Sequence, residues 1–205
     1  GKEKQTSKLP PSPTPPLPPS PSPSEEVVVE ITHKGYVRRL SKNGKSAAIK
    51  ANDDFIVKIQ PTKTNAELAI VTSSGKAYPL KVQDIPPTTG QSRGTPLPLL
   101  LPNGAQASSD ALITQFFLPE NSDTTDLVLL TTQGRIKRLP VSELASLTAR
   151  GLTLIKLKDN DKLGYASLTS GGEEAILATS GGRLLRFRIT DRQLPVMGRT
   201  AQGLQ

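Results

Sequence analysis

The chain has 205 residues, a formal net charge of +8 and no cysteine. Without cysteine it has neither disulfide bonds nor a thiolate metal site, which is typical of proteins from the reducing cytoplasm. No apolar run approaches the ~18 residues that a membrane-spanning helix needs, and the N-terminus lacks the apolar core of a signal peptide. We therefore expect a cytoplasmic protein with no membrane partner.

The positive charge belongs to the part of the chain that follows residue 26. Residues 1–26 contain three lysines and three glutamates, so they contribute no net charge. An excess of this kind points to an acidic partner, nucleic acid first, although a merely soluble basic protein has the same composition. Four Phe, three Tyr and no Trp argue against a protein that reads single strands by stacking on their bases.

Residues 1–25 are predicted to form a disordered, proline-rich linker. Nine of the 19 prolines lie in the first 24 residues. Because proline has a fixed φ and no amide donor, such a segment is extended and semi-rigid. Its Pro-x-x-Pro spacings also suit aromatic peptide-binding grooves, but we interpret it as a spacer that joins this chain to the rest of a larger protein.

Residues 26–205 contain one motif four times. Each copy has an apolar run, then Thr-x-x-Gly, then a short segment that usually carries positive charge. The glycines are Gly35, Gly75, Gly134 and Gly182, which lie 40, 59 and 48 residues apart. Such spacings are typical of repeat folds in which each copy is one supersecondary unit. We place the repeats at about 26–66, 67–125, 126–173 and 174–205.

Each copy predicts a β-hairpin. The apolar run suits a strand that is buried on both faces, and Thr-x-x-Gly suits a tight turn whose glycine has a positive φ. The second residue after the glycine is always apolar: Val37, Ala77, Ile136 and Leu184. Because side chains alternate along a strand, we expect these residues to face inward. The first and third residues, mostly Lys, Arg and Tyr, would then face outward.

Two further recurring elements complete the unit. A strand that starts with an acid occurs at 54–59, 110–116 and 161–165, and an Arg-Gly strand occurs at 93–100 and 150–155. Four strands per cycle make one blade of a propeller-like array. Helix patterns are nearly absent, and only residues 140–147 suit a helical turn or two. The predicted class is all-β, with repeated four-stranded blades of which about four are visible.

The residue types exclude several kinds of catalytic site. His33 is the only histidine, so neither a multi-histidine metal site nor a Ser/His/Asp triad can form. Residues 180–183 are glycine-rich but lack the Lys-Ser/Thr of a phosphate-binding loop. The acid pairs at 53–54 and 173–174 are interpreted as solvated caps and charge gatekeepers, against the alternative of a catalytic dyad. We expect no catalytic residue, cofactor or metal.

Residues 27–205, which contain these repeats, resemble the C-terminal domain of the DNA gyrase A subunit, or of its relative in topoisomerase IV. The resemblance is carried by Val-Glu-Ile-Thr-His-Lys-Gly-Tyr-Val-Arg-Arg at 29–39, by the connection 84–94 and by Met-Gly-Arg-Thr-Ala-Gln-Gly at 197–203. It implies a β-pinwheel whose basic rim binds and bends duplex DNA in the cytoplasm, at the nucleoid. Backbone contacts of this kind carry no sequence code.

The resemblance also implies a place in a larger enzyme. The chain would be a non-catalytic part of an ATP-dependent type II topoisomerase. Its partners would be the cleavage domain of the same A subunit, together with the ATPase B subunit. The family's active-site tyrosine belongs to the cleavage domain, and none of the three tyrosines here stands in its motif. No nucleophile is therefore assigned.

Two features depart from the family's pattern. Its Gln-Arg-Arg-Gly-Gly-x-Gly box, which supports strong wrapping, is replaced by Ser-Lys-Asn-Gly-Lys-Ser at 41–46, and the nearest similar sequence is Gly-Gln-Ser-Arg-Gly at 90–94. Either the box is lost, which weakens wrapping and supercoiling, or a shorter version serves. The gyrase domain usually has six blades, so four copies indicate either a truncated chain or a short disc like that of topoisomerase IV.

The expected DNA contacts are cations of the repeats and of the connections between them. Their recurrence at equivalent positions favours a stripe along the rim, against the alternative of solvated charges that guard strand edges. A propeller-type protein-interaction scaffold with no DNA role is the second alternative. The candidates are Lys34, Arg38, Arg39, Lys42, Lys45, Lys76, Arg93, Arg135, Lys137, Arg138, Arg150, Arg183, Arg186 and Arg199.

Overall fold

The computed structural model describes residues 23–49, 53–89, 91–106, 110–120, 122–178 and 181–205. Most of the predicted linker (residues 1–22) and two residues of the fourth turn (179–180) lie outside these ranges. The strands within them are β1 (Glu26–Thr32), β2 (Tyr36–Ser41), β3 (Ile56–Lys63), β4 (Glu67–Thr72), β5 (Lys76–Lys81), β6 (Thr95–Pro96), β7 (Leu112–Phe117), β8 (Asp126–Thr131), β9 (Ile136–Pro140), β10 (Leu152–Thr153), β11 (Leu163–Thr169), β12 (Glu174–Ala178) and β13 (Leu184–Arg188).

The helical elements are short. They are the α-helices α1 (Leu97–Leu100) and α2 (Asn103–Gln106), and 3₁₀ turns at Val82–Asp84, Ser122–Thr124 and Val141–Ser146. The last of these confirms the helical turn expected at 140–147. No helix in the described ranges is long and apolar enough to cross a membrane.

The first three Thr-x-x-Gly sequences lie at the turns of antiparallel hairpins, as predicted, and Gly182 of the fourth lies between the paired strands β12 and β13. The hairpins are β1–β2, β4–β5, β8–β9 and β12–β13. Gly35, Gly75, Gly134 and Gly182 have φ values of 84°, 76°, 84° and 77°, a region that is costly for residues with a Cβ atom. In the first three turns the glycine N–H donates to the threonine carbonyl three residues earlier.

The hairpins are the centres of four blades. Blade 1 has the strand order β3-β1-β2-β6, and blade 2 has the equivalent order β7-β4-β5-β10. Blade 3 is β11-β8-β9, with Leu204 bridging to Ile136 in the fourth place. Blade 4 is the hairpin β12–β13, which pairs with no other strand in the described residues. The propeller-like, all-β class is thus confirmed.

Consecutive blades are interlocked by exchanged strands. β6 follows β5 in the chain but pairs with β2 of blade 1, and β10 follows β9 but pairs with β5 of blade 2. The last segment follows β13 but bridges to β9 of blade 3. A contiguous repeat is therefore not a blade, since the exchanged segment inside each of the last three repeats belongs to the preceding blade.

Glycine residues allow the backbone of an exchanged strand to approach the hairpin closely. A Cβ atom on Gly94 would lie 2.1 Å from the Val37 carbonyl oxygen, and one on Gly203 would lie 2.5 Å from that of Ile136. Both glycines also have a positive φ. These positions therefore require glycine for space as well as for backbone angle.

Both Arg-Gly strands are shorter than the sequence predicts, and the second contains only Leu152–Thr153. The first differs most from the prediction. Only Thr95–Pro96 is β-strand, and the apolar run after it forms α1 instead of extending the strand to residue 100. Pro98 explains the change, because it has no N–H for a strand ladder but is tolerated in the first turn of a helix.

The core lies between the blades, and β4 shows how. Leu68 and Ile70 belong to the cluster shared with blade 1, whereas Ala69 and Val71 belong to the cluster shared with blade 3. All four side chains are fully buried. The predicted burial on both faces is confirmed here, because one blade covers each face of the strand.

Blade 4 departs from this pattern. Ile176 and Leu184 are 65% and 74% exposed, so the inward orientation expected of Leu184 and the burial of β12 on both faces are wrong. The cluster that joins blade 4 to blade 3 has only Val128, Ile189 and Leu194 as buried members. In the described residues no third strand lies along β12 to complete this core.

The glycines allow a test of the strand exchange. We expect Gly134→Ala to lower the free energy of unfolding by about 1–2 kcal/mol, the cost of a left-handed backbone angle, because nothing lies within 4 Å of its Cβ position. Gly94→Ala adds a clash with the Val37 carbonyl and should cost clearly more. Chemical denaturation of both variants measures the difference, and equal losses would contradict the close approach of the exchanged strand.

Candidate nucleic-acid interface

The turns place the residue that follows the glycine in a fixed position. Thr32 Oγ1 accepts a hydrogen bond from the Tyr36 N–H at 3.1 Å, and Thr131 Oγ1 accepts one from the Arg135 N–H at 3.0 Å. In blade 2, Thr72 Oγ1 donates to the Lys76 carbonyl at 3.3 Å. The threonine of Thr-x-x-Gly therefore orients the residue that follows the turn glycine in three blades.

An aspartate at the start of the third strand caps the turn. Asp54 Oδ1 accepts hydrogen bonds from the N–H groups of Lys34 and Phe55, both at 3.0 Å. Asp161 Oδ1 accepts from the Gln133 N–H and the Thr132 hydroxyl, both at 3.1 Å. The cap expected at residue 54 is present, but its carboxylate is buried, so the solvated position predicted for it is wrong.

These hydrogen bonds control the ionisation of both carboxyls. Burial alone would raise the pKa of Asp54, but hydrogen bonds from Thr32 and from the backbone of Lys34 lower it below its ordinary value of 3.8. The pKa of Asp161 is lowered in the same way, against burial, by Thr131 and by the backbone of Gln133. Both caps are therefore anionic at neutral pH.

A cation lies at the first position after the turn glycine in blades 2, 3 and 4. Lys76 and Arg183 are exposed and Arg135 is half-buried. In blade 1 this position is Tyr36, and the Arg93 guanidinium lies over its ring, 3.7 Å from the centroid, while Nη2 donates to the hydroxyl at 2.9 Å. The repeat therefore lines up four cations at the turn ends, meaning the blade edges that carry the Thr-x-x-Gly turns.

The third position after the glycine is buried in blades 1, 2 and 3, contrary to the prediction, and exposed only in blade 4. Arg38 is fully buried, and its Nε donates to Glu30 Oε2 at 2.6 Å. Its Nη1 and Nη2 donate to the carbonyls of Ser92 at 2.9 Å and Ala47 at 2.8 Å. This side chain therefore holds the segment that leads into β6, and in this structure it is not accessible to a phosphate.

Lys137 occupies the same position in blade 3 and is also fully buried. Its Nζ donates to the carbonyls of Leu154 at 2.6 Å, Arg199 at 2.8 Å and Ala201 at 3.1 Å. These three bonds use all three donors of an ammonium group. Burial lowers the pKa of Lys137 to about 8, although the Glu143 carboxylate opposes that shift.

Two neighbouring arginines have structural contacts as well. Arg138 is buried and binds Asp126 Oδ2 at 2.7 Å and Asp191 Oδ1 at 3.0 Å. Arg39 is half-buried, and its Nη1 reaches the carbonyls of Val82 and Gln83 at 3.4 and 3.3 Å. Arg138, a candidate DNA contact at the fourth position after the glycine, is therefore held inside the fold by two carboxylates.

The remaining candidates divide into paired and unpaired surface cations. Lys45 and Arg150 are exposed and form no ion pair with a described residue. The others form ion pairs, each of the kind worth roughly 0–1 kcal/mol at a surface. These pairs are Lys34–Asp53, Lys42–Glu26, Arg186–Glu174 and Arg199–Glu143.

The sequence prediction missed several exposed or half-buried cations because they lie outside the recurring motif. Lys63 and Lys81 lie at the far ends of the blades, away from the turns, since they pair in register with Glu26 and Glu67. Three more lie in the connection 156–162, whose composition of three lysines in seven residues was the available signal. Among the residues that the structure describes, the full set is Lys58, Lys63, Lys81, Lys156, Lys158, Lys162, Arg188 and Arg192.

Known proteins of one family resemble this chain. A family model described as "DNA gyrase C-terminal domain, beta-propeller" matches residues 66–97, 125–169 and 173–205, which is more than half of the chain. The DNA gyrase A subunit of Salmonella typhimurium is 30% identical over 191 residues, which are 88% of this chain and 21% of that protein. The DNA topoisomerase 4 A subunit of a Synechocystis strain is 39% identical over 147 residues, 66% of this chain and 16% of that protein.

Solved structures show the same fold. The crystal structure of a C-terminal domain of DNA topoisomerase IV superposes with a TM-score of 0.77 at 23% identity, covering 90% of this chain and 57% of that one. A structure of a DNA gyrase A C-terminal domain gives a TM-score of 0.57 at 24% identity, covering 88% and 59%. The chain spans about a fifth of the length of the Salmonella gyrase protein that it matches.

The buried aspartates generate a prediction about acid stability. Because the pKa of Asp161 is lowered in the folded protein, its contribution is fully present above the unfolded value of about 3.9 and is lost as the pH falls through the folded value. Asp161→Asn should be less stable than wild type at pH 7, and the difference should shrink below about pH 4. Urea unfolding across pH 2.5–7 measures this effect.

The exposed Asp159 provides the control for that measurement. Asp159→Asn should follow the wild-type pH profile throughout, since its side chain caps no turn. A wild-type profile for Asp161→Asn would show that its carboxylate does not support the turn.

Proposed function

Because the chain belongs to the family of DNA gyrase C-terminal domains, we propose that it binds and bends duplex DNA and presents it for strand passage by a type II topoisomerase. The observation that carries the proposal is a cation at the turn end of every blade: Lys76, Arg135 and Arg183 follow the glycine directly, and Arg93 lies over Tyr36 in blade 1. The parent enzyme would be ATP-dependent and would act on chromosomal DNA in the cytoplasm. Its cleavage domain, in the same polypeptide, and its ATPase B subunit would be the partners of this chain.

The proposed work is electrostatic and needs no catalytic residue in this chain. Each cation that neutralises a phosphate releases counterions, and bending a short duplex costs on the order of 1–6 kcal/mol. Several contacts along adjacent turn ends can offset that cost together, whereas a single exposed charge cannot. Since phosphates carry no sequence code, binding should be largely independent of sequence.

Burial determines which candidates belong to this interface. We leave out Arg38, Lys137 and Arg138, because their charges are bound to carboxylates or carbonyls inside the fold. Arg93 stays in the set, since it replaces the missing cation at the first position of blade 1. Cations with acidic partners at the surface would contribute less.

Blade 1 would bend DNA less strongly than a blade with the family's arginine box. In the segment 41–46 that replaces the box, Lys42 is bound to Glu26 and Lys45 is the second cation. We therefore propose weakened wrapping at this blade. The proline-rich residues 1–25 would act as a spacer to the cleavage domain.

The alternative of a protein-interaction scaffold with no DNA role is not favoured by the family match. The two functions differ in their dependence on salt. Phosphate-dominated binding weakens steeply as salt rises, whereas an apolar protein interface does not.

A salt titration of duplex binding tests the proposal. The double variant Lys76→Gln/Arg135→Gln should bind unrelated duplexes with a log–log salt slope that is smaller by about 1.8, since each lost phosphate contact removes about 0.9. Its melting temperature is measured first, because Arg135 also donates to the Gly203 carbonyl. A wild-type slope and affinity for the folded variant would overturn the proposed path at blades 2 and 3.

Lys137→Met is the matched control for a buried cation. It should lower the free energy of unfolding by at least about 1–3 kcal/mol, the cost of leaving a buried acceptor unpaired. The salt slope of the protein that remains folded should not change. A slope reduced as much as in the double variant would contradict the structural role of Lys137.

A further inference from the structure

The connection between β10 and β11 carries three exposed lysines, together with the exposed Asp159 and the buried Asp161. We call residues 156–162 the lysine loop. Its members Lys156, Lys158 and Lys162 are all exposed, and their side chains form no hydrogen bond or ion pair with any described residue. The equivalent connection from blade 1 to blade 2, residues 97–111, has no Lys or Arg. The cluster is therefore specific to this junction.

The lysine loop is held in one conformation by its backbone. The Asp161 N–H donates to the Lys158 carbonyl at 3.0 Å and closes a turn, with Asn160 at a φ of 61°. The Lys156 N–H donates to the Ala201 carbonyl at 3.2 Å. Ordered backbone of this kind reduces the entropy lost when the lysines engage a ligand.

Two neighbouring turns bracket the lysine loop. The Lys162 carbonyl accepts from the Thr132 N–H in the turn of blade 3, and the next residue, Leu163, donates to the Ser73 carbonyl in the turn of blade 2, both at 2.8 Å. At its other end, β10 pairs Thr153 with Lys76. The three lysines therefore lie between the proposed phosphate contacts of blade 2 and blade 3.

The cations of blade 1 differ in their pairing. Lys34 and Lys42 each bind a carboxylate, and Arg38 is buried. The positive charge that remains without an acidic partner is therefore denser at the junction of blades 2 and 3 than on the first blade. An unpaired cation gains more from a phosphate than one that must first leave a carboxylate.

We propose that the lysine loop is a phosphate-binding element that holds the duplex between the turn of blade 2 and the turn of blade 3. This inference rests on the proposed function, since it takes the ligand to be duplex DNA. It adds three residues outside the recurring motif to the interface. It also makes this junction, and not the segment 41–46, the strongest point of contact.

A pair of equal-charge variants tests the proposal. Lys158→Gln/Lys162→Gln should reduce the log–log salt slope for a mixed-sequence duplex by about 1.8. Lys63→Gln/Lys81→Gln removes the same charge at the far ends of blades 1 and 2 and should keep the wild-type slope. Equal reductions would show a long-range effect of net charge and overturn the site, as would no reduction in the loop variant. Failure of the wild-type protein to bind duplex would instead overturn the proposed function.

Site-specific crosslinking gives a second measurement that does not depend on affinity. The chain has no cysteine, so Lys158→Cys and Lys81→Cys each accept a single photo-crosslinking label. The label at residue 158 should crosslink to bound duplex and the label at residue 81 should not. Crosslinking at residue 81 alone would place the DNA at the opposite ends of the blades and overturn the proposal.

Discussion

The fold depends on the contact between each hairpin and the strand that it receives from beyond the next hairpin. Gly94, Gly151 and Gly203 bring the incoming backbone against the second hairpin strand, where a Cβ atom would clash. The third residue after the turn glycine, which lies on the second hairpin strand, contacts the incoming segment. In blade 3 this residue is Lys137, whose ammonium holds three carbonyls. Every blade with an exchanged strand is thereby tied to the one that follows it.

This constraint separates the cations into two groups. Those at the third position, Arg38 and Lys137, are enclosed by the exchanged segment and stabilise the fold. Those at the first position remain exposed or half-buried at the turn end, where a threonine and a capping aspartate fix the backbone. Arg135 has a share in both roles, because its Nη1 also donates to the Gly203 carbonyl at 3.3 Å. Two residues along one strand thus have different roles although both are basic, and the spacing from the glycine decides which role applies.

The sequence predicts the local parts of this architecture well. Hairpins, positive-φ glycines and the propeller class follow from short-range patterns, and the resemblance to the gyrase family is confirmed. The burial of Arg38 could not be derived from the sequence. The alternation of side chains along a strand places neighbouring residues on opposite faces of the sheet, but it does not show that both faces are covered by other parts of the fold. Strand exchange is a non-local pairing, so the order of elements could not reveal it. The lysine loop lies outside the repeat, where recurrence gives no signal.

Lysine footprinting with and without duplex DNA tests the division of cations most directly. Acylation read by mass spectrometry should modify Lys76, Lys158 and Lys162 in the free protein and spare them in the complex, while Lys63 and Lys81 react in both. Lys137 should stay unmodified throughout, because its ammonium is buried. Modification of Lys137 in the folded protein, or protection of Lys81 in place of Lys76, would contradict the account.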